Sequence, residues 1–199
     1  MLILEVTMVK NGIMNQEIGI WVEKINKKIK NKHMKVEIHK NFLEEQFFLS
    51  LKNLITNQDF PWRFRSQMTD SDSNEAFYFT YSFFNELKIN SPYYNDFIIL
   101  ILNQLNCVAP IQIRANLNIK KRGAKSGWHI DYPTKSKTAI LYLNNCDGGT
   151  ELQLKDKNKF IKSEENKMVI FDSSIKHRGI VQTDTQTRYF LNLNYFDNE

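Results

Sequence analysis

The stretch Gly127-Trp128-His129-Ile130-Asp131 places two potential metal ligands two residues apart. In an extended strand such residues point to the same face, so the His129 imidazole and the Asp131 carboxylate can reach one point in space. A His-x-Asp pair by itself is more often a hydrogen-bonded pair in a loop than a metal site. Two ligands also hold a metal ion only weakly, so a third donor must come from another part of the chain.

The third donor must be chosen among few side chains. The chain has four histidines, which are His33, His39, His129 and His177. The first two stand in polar surroundings with no partner at ligand spacing, and we predict that they lie on the surface. His177 closes a buried-strand pattern over residues 168–177 and precedes Arg188. Two histidines and one carboxylate on one face leave open coordination positions, which is typical of non-haem Fe(II) oxygenases. The predicted ligands are His129, Asp131 and His177.

Length and composition indicate a globular protein. The 199 residues are 42% hydrophobic and 13% aromatic, which is enough to bury a core, and we expect a single domain over residues 1–199. The longest apolar run, residues 97–102, is too short to cross a bilayer, and the N-terminus lacks the order of a signal peptide. A cytoplasmic protein without a membrane partner is expected. Cys107 and Cys146 have no framework spacing and are predicted to be reduced.

The formal net charge of +5 raises the question of a nucleic-acid partner. The excess comes mostly from lysines scattered among asparagine and isoleucine, as in residues 24–32. Such a distribution forms no stripe of basic side chains that would follow a phosphate backbone. The charge alone therefore gives only weak support for a nucleic-acid partner, which stays open.

Residues 1–110 are expected to form a helical support with some strands, and residues 111–199 a catalytic β-core. Asn41 is a predicted helix N-cap, with Glu44 three residues later as in a capping box. Whether the chain starts at Met1 or at Met34 is left open by the sequence. The other elements predicted before residue 111 are strands over 2–6, 34–39 and 77–84, helices over 18–29 and about 95–105, and a polar loop over 70–74.

The predicted strand over residues 188–196 is apolar on both faces, which indicates burial on both sides. Arg188 then becomes a buried cation that requires an anionic partner, and no carboxylate of the chain is an obvious one. A ligand carboxylate matches the guanidinium fork, and the hydroxyls of Tyr142 and Thr138 can add hydrogen bonds. A hairpin from His177 to Arg188, turning at residues 183–186, would bring the third metal ligand and Arg188 into one cavity.

These pieces together resemble the catalytic core of the Fe(II)- and 2-oxoglutarate-dependent dioxygenases of the prolyl 4-hydroxylase type. The similar segments are His129-x-Asp131, residues 139–144, residues 148–152, His177 and Thr187-Arg188-Tyr189. The resemblance implies an α+β fold, a double-stranded β-helix (a cupin-like jelly roll) with N-terminal helices packed on one sheet. It implies that His129, Asp131 and His177 bind Fe(II). Arg188 would bind the distal carboxylate of 2-oxoglutarate, with Tyr142, Thr138, Asn118 and Asn192 as further co-substrate contacts.

The implied reaction uses dioxygen and 2-oxoglutarate to hydroxylate a C–H bond of a substrate, and it forms succinate and carbon dioxide. The substrate stays open between a prolyl or other amino-acid residue of a peptide, a free amino acid, a nucleic acid and another small molecule. Two positions depart from the family pattern. Members often carry a tyrosine where this chain has Asn118, and the oxygen-sensing animal prolyl hydroxylases carry a tryptophan where it has Asn194. The alternative functions are a cupin-like metal hydrolase and a ligand-binding barrel without turnover.

Overall fold

The computed structural model describes residues 36–67 and 77–198. The strand predicted over residues 2–6, the helix predicted over 18–29, the polar loop over 70–74, His33 and Met34 lie outside the described residues. Within the described part, no helix is both long enough and apolar enough to span a membrane. Cys107 and Cys146 are free thiols, as predicted.

The described strands form two antiparallel sheets. The larger sheet has eight strands in the order β1-β9-β6-β11-β5-β3-β2, with β4 paired to β3, and the smaller sheet has the order β10-β7-β8. The strands are β1 (Val36–His39), β2 (Arg63–Arg65), β3 (Tyr78–Asn85), β4 (Lys88–Ile89), β5 (Ala109–Ile119), β6 (Lys137–Tyr142), β7 (Gly149–Gln153), β8 (Asn158–Lys162), β9 (Lys167–Asp172), β10 (His177–Ile180) and β11 (Thr187–Phe196). Side chains of both sheets share one buried cluster, so the sheets pack face to face. This arrangement confirms the predicted double-stranded β-helix.

The helices cover the other face of the larger sheet. They are α1 (Glu45–Thr56) and α2 (Ile99–Gln104), and a π-helical turn over Tyr94–Ile98 leads into α2. The alternation of β6 shows the two environments: Ala139 and Leu141 pack with the helices, whereas Ile140 and Tyr142 pack toward the smaller sheet. β11 is likewise buried on both faces, as predicted, because it lies between β5 and β6 in the centre of the larger sheet.

The start of α1 differs from the prediction. Its N-cap is Glu44, whose carboxylate accepts hydrogen bonds from the backbone N–H groups of Gln46 and Phe47, and the predicted cap Asn41 has a φ of 51° instead. Asn166 is the cause, because it holds the preceding segment outside the helix. Its carbonyl accepts from Phe42 N at 3.0 Å, and its side-chain amide exchanges two hydrogen bonds with the backbone of Leu43 at 3.0 and 2.9 Å.

We expect Asn166→Ala to lower the free energy of unfolding by about 2–4 kcal/mol. The substitution leaves the N–H and C=O groups of buried Leu43 without partners, and it places an alanine at a φ of 54°. Asn166→Gly removes the same hydrogen bonds without the backbone strain and should be about 1 kcal/mol less destabilising. Urea denaturation measures both. An Asn166→Ala protein within 0.5 kcal/mol of wild type would contradict this assignment.

The hairpin predicted from His177 to Arg188 is wrong. β10 pairs with β7 in the smaller sheet, whereas β11 pairs with β5 and β6 in the larger one, so the segment between them crosses from one sheet to the other. Asp147 fixes the crossing, since its carboxylate accepts from the backbone N–H of Thr183 at 2.6 Å and from that of Asp184 at 3.3 Å. The predicted consequence still holds, because His177 and Arg188 line the same cavity.

Candidate metal centre

His129 and Asp131 lie on an extended segment that is not a regular strand. His129 forms an isolated antiparallel bridge with His177, with backbone hydrogen bonds of 3.0 and 2.8 Å, and Asp131 N donates to Ser173 O at 3.1 Å. Pro133 follows and has no N–H to continue a ladder. The segment is therefore not the regular strand that was predicted. These backbone hydrogen bonds nevertheless bring the three side chains together.

The three predicted ligands converge on one point. Asp131 Oδ1 lies 3.6 Å from His129 Nε2 and 3.5 Å from His177 Nε2, and the candidate donor atoms all lie within 4.8 Å of one another. The Nδ1 atoms of the rings contact the carbonyls of Gly127 and Ile175 at 3.0 and 2.9 Å. Since a carbonyl only accepts, each Nδ1 carries the hydrogen, and the Nε2 lone pairs are free to bind a cation.

The protonation states suit metal binding. Burial lowers the pKa of His129, and the neighbouring His177 imidazole and Arg114 guanidinium lower it further. Burial acts to raise the pKa of Asp131, but the hydrogen bonds and charge of His177 and the hydrogen bond from Asn194 outweigh it and hold that pKa well below its usual range. At neutral pH the site thus offers a neutral imidazole at His129 and an ionised carboxylate, the forms in which these groups bind metals.

A set of polar side chains fixes the outer oxygen of Asp131. Asp131 Oδ2 accepts from Asn194 Nδ2 at 2.8 Å and contacts Thr138 Oγ1 at 3.0 Å and Asn192 Nδ2 at 3.5 Å. The structure therefore places Thr138 at the metal end of the site and not beside Arg188. Asn194 is a site residue that the sequence analysis did not assign. The available signal was the alternation of β11, which puts Asn194 on the same face as Arg188.

Arg188 lies deep in the cavity that borders the triad, near the end away from the metal ligands, and it is 1% exposed. Its Nη1 donates to the carbonyls of Gly149 and Ile180 at 2.8 and 2.6 Å, while its buried Nε has no partner. Among the described residues, no carboxylate forms an ion pair with it. The cavity lining consists of Tyr78, Arg114, Asn116, Asn118, Ser126, His129, Ile140, Thr150, His177, Gly179, Arg188, Phe190 and Asn192.

Gly149 permits the contact with Arg188. A Cβ at this position would collide with the backbone carbonyl of Ile161 on the paired strand β8, so only glycine fits. The close approach of β7 to β8 leaves the Gly149 carbonyl directed at the guanidinium. This explains in physical terms why a glycine stands in the segment 148–152 that the sequence analysis singled out.

The other predicted co-substrate contacts differ in whether they line the cavity. Tyr142 is fully buried behind the cavity wall, where its hydroxyl donates to Thr150 Oγ1 at 2.8 Å and burial raises its pKa to about 12. Asn118 lies opposite Arg188 in the β5–β11 register and lines the cavity. Within the described part of the chain, neither polar atom of the Asn118 side chain has a partner, and the same is true of Asn192 Oδ1.

Polar atoms without a partner in the cavity wall indicate which kind of ligand the cavity can bind. Buried polar groups in proteins are almost always hydrogen-bonded, and a cavity whose wall holds several unpaired ones is suited to a polar ligand. In the cavity lining, the unpaired atoms belong to Arg114, Asn118, Arg188 and Asn192. The cavity thus combines two metal-binding imidazoles with a buried guanidinium, so the residues present fit a divalent metal together with a carboxylate-bearing chelator.

Comparisons with known proteins agree with this geometry. Residues 115–196 match the family described as the 2OG-Fe(II) oxygenase superfamily. No similar sequence was found among curated proteins. Many solved structures share the fold. An oxidoreductase of the 2OG-Fe(II) oxygenase family from Burkholderia pseudomallei has a TM-score of 0.66 at 10% identity, covering 85% of this chain and 87% of that one.

Two further structures carry informative ligands of their own. A prolyl hydroxylase from Trichoplax adhaerens, in complex with a peptide fragment of the hypoxia inducible factor oxygen degradation domain, has a TM-score of 0.62 at 17% identity, covering 89% of this chain and 93% of that one. The epimerase SnoN from nogalamycin biosynthesis, in complex with Fe3+, alpha ketoglutarate and nogalamycin RO, has a TM-score of 0.59 at 10% identity, covering 83% and 80%. At these identities the likeness shows a common fold.

The matched segment contains all three candidate metal ligands, Arg188, the strands β6 and β11, and the second half of β5 from residue 115 onward. The cavity fits the iron and the 2-oxo acid that this superfamily uses. Residues 115–196 are therefore similar to the 2OG-Fe(II) oxygenase superfamily, and the side chains of the cavity fit the Fe(II) and the 2-oxoglutarate after which that superfamily is described.

Proposed function

We propose that the protein hydroxylates a C–H bond of an amino-acid substrate, either free or within a peptide, and forms succinate and carbon dioxide from 2-oxoglutarate. His129, Asp131 and His177 hold the Fe(II), and Arg188 binds the distal carboxylate of 2-oxoglutarate. One observation carries the proposal. A single cavity has convergent His-Asp-His donors near one end and, near the other, a buried guanidinium without an anion among the described residues.

Each residue has a task that follows from its contacts. When bound, the iron and 2-oxoglutarate supply the oxidising chemistry. Thr138 and Asn194 fix Asp131 Oδ2, so that Oδ1 stays directed at the two imidazoles. The Gly149 and Ile180 carbonyls orient the Arg188 guanidinium, and Asn118 supplies an unpaired amide opposite it. Phe190, under that guanidinium at 4.9 Å, gives the co-substrate channel an apolar wall.

The lining of the cavity bears on the two alternative functions. A metal hydrolase needs a general base near the bound water. The described lining residues include no glutamate, aspartate or lysine, and Asp131, just behind the wall, is committed to the triad. A non-catalytic barrel does not require the polar support that Thr138 and Asn194 give to Asp131. Both features favour the oxygenase over either alternative.

The proposed reaction is tested by measuring succinate release that requires Fe(II), 2-oxoglutarate and dioxygen together. Peptidyl proline is the first substrate to try, because a prolyl hydroxylase bound to a peptide has the same fold. Free amino acids and other peptides follow in the same assay. Mass spectrometry of the stimulating compound should show a gain of one oxygen atom. Hydrolysis of a compound in the absence of dioxygen would instead support a hydrolase.

We expect the fold to persist without metal. The main hydrophobic core lies between the larger sheet and the helices, on the opposite face of the sheet from the triad, so the metal does not nucleate folding. Chelation should lower the Tm by only a few degrees, because it removes the stabilisation that metal binding to the folded state provides. Differential scanning calorimetry with and without a chelator measures this. A loss of the cooperative transition on chelation would contradict the expectation.

A further inference from the structure

Arg114 is a second arginine in the cavity, and it lies near the metal end. In the β5–β11 register it stands opposite Asn192, whereas Asn118 stands opposite Arg188. Four residues along a strand span about 13 Å, so the backbone positions of the two arginines are well separated along the sheet. Asn192 reaches Asp131 Oδ2 at 3.5 Å, which places Arg114 beside the triad.

Arg114 has no anionic partner in the described part of the chain. Its Nε is buried without a hydrogen bond, although the residue as a whole is only half-buried. Asp131, the acidic residue of the triad, directs Oδ1 at the imidazoles and Oδ2 at Asn194 and Thr138. A partly buried guanidinium without an anion is unfavourable, so the position of Arg114 in the cavity wall points to a ligand.

The charge balance of the proposed active complex also indicates an anionic ligand for Arg114. The two positive charges of Fe(II) and the one of Arg188 are cancelled by Asp131 and by the two carboxylates of 2-oxoglutarate. The positive charge of Arg114 is then left over at the metal end of the cavity. An anionic group on the primary substrate would balance it.

Two exposed arginines border the cavity on its Asn116–Asn118 side. Arg63 and Arg65 on β2 pair with Thr80 and Tyr78 on β3, and Tyr78 lines the cavity, so both arginines lie on the cavity face of the sheet. Both are exposed, and neither forms an ion pair with another described residue. Cationic side chains along an entrance raise the local concentration of anions.

We propose that Arg114 binds an oxyanion, a carboxylate or a phosphate, of the primary substrate and thereby positions its C–H bond at the metal. The inference rests on the proposed oxygenase function and narrows its substrate class to anionic molecules. A guanidinium fork matches both oxyanions through two parallel hydrogen bonds, so either source fits the geometry.

The test uses protein loaded with Mn(II) in place of Fe(II) and with saturating 2-oxoglutarate. This complex binds ligands but does not catalyse the reaction. Three small probes carry a methyl group: N-acetylglycine, its neutral amide N-acetylglycinamide, and methyl phosphate. The paramagnetic relaxation of the probe methyl protons by Mn(II) reports binding next to the metal. The variant is Arg114→Gln, and Arg122→Gln is the matched control, since Arg122 is exposed on a loop and its replacement changes the net charge equally.

In wild type we expect the acetylglycine or methyl phosphate protons to relax several-fold faster than those of the amide. Arg114→Gln should weaken binding of that anion about tenfold, while Arg122→Gln changes it less than twofold. The preferred anion identifies the source. Equal relaxation by acids and amide, or undiminished anion binding in Arg114→Gln, would overturn the inference. So would a tenfold loss of 2-oxoglutarate affinity in Arg114→Gln, because Arg114 would then serve the co-substrate.

A failure of this inference can be told apart from a failure of the proposed function. Binding of Mn(II) and 2-oxoglutarate is measured first on the wild-type protein. If neither binds, the oxygenase proposal fails. If both bind and the probes do not discriminate, the oxygenase proposal stands and the anionic substrate is rejected.

Discussion

Replacing His177 with alanine is expected to abolish Fe(II) binding at stoichiometric concentrations and, with it, all iron-dependent turnover. The remaining His129 and Asp131 form too weak a chelate, and the loss of one ligand from a three-ligand site should reduce affinity by at least about a hundredfold. Anaerobic equilibrium dialysis against Fe(II), followed by metal analysis of the protein, measures the binding directly. His129→Ala should behave in the same way, because both imidazoles face Asp131 Oδ1 at similar distances.

The matched control is His39→Ala, which removes an exposed histidine whose ring contacts Glu37 at 3.2 Å and lies outside the cavity lining. This variant should bind Fe(II) like wild type. Because His177 is buried, the His177→Ala protein also needs a thermal melt to show that it is folded. Folded His177→Ala protein with normal iron-dependent turnover would refute the assignment of the triad.

The sequence predicted the part of the site that depends on strand alternation. A strand that is apolar on both faces has to lie inside the molecule, and this pattern alone predicts the burial of Arg188. The structure confirms that burial, at 1% exposure. The spacing of His129 and Asp131 carried the same kind of information, because it depends only on local backbone geometry.

What the sequence could not predict depends on contacts between distant segments. The crossing from β10 to β11 resembles a hairpin in its turn residues, and only pairing with β7 and β5 shows that the two strands belong to different sheets. The start of α1 is decided by Asn166, which is more than a hundred residues away along the chain. Thr138 was predicted to contact the co-substrate because its hydroxyl can add a hydrogen bond, whereas the structure places that hydroxyl 3.0 Å from Asp131 Oδ2, at the metal end of the site.

The position of Arg114 in the cavity could not be predicted from the sequence either. On β5, Arg114 shares a face with Asn116 and Asn118, and a polar face of a strand usually faces solvent. The structure shows that this face lines the cavity. Position along the strand then separates the roles, since Asn118 lies opposite Arg188 and Arg114 lies beside the triad.

Replacing Arg188 with lysine is expected to reduce 2-oxoglutarate affinity by tenfold or more while Fe(II) binding stays nearly intact. Lysine keeps the positive charge but loses the planar fork that binds a carboxylate through two hydrogen bonds. It also cannot reproduce the geometry of Arg188, in which Nη1 is held by two backbone carbonyls and Nε is left for a ligand. A tenfold loss corresponds to about 1.4 kcal/mol of binding free energy.

The measurement is an anaerobic titration of 2-oxoglutarate into Fe(II)-loaded protein, followed through the weak visible charge-transfer band of a 2-oxo acid chelated to ferrous iron. Arg178→Lys is the matched control, because Arg178 is paired with Glu151 at 2.7 Å and does not line the cavity. If wild type never develops the band, the oxygenase function itself is refuted. If wild type and Arg188→Lys develop it with equal affinity, the oxygenase stands and the carboxylate anchor must be another residue. Arg114 is then the first candidate, because among the described residues it is the other arginine that lines the cavity.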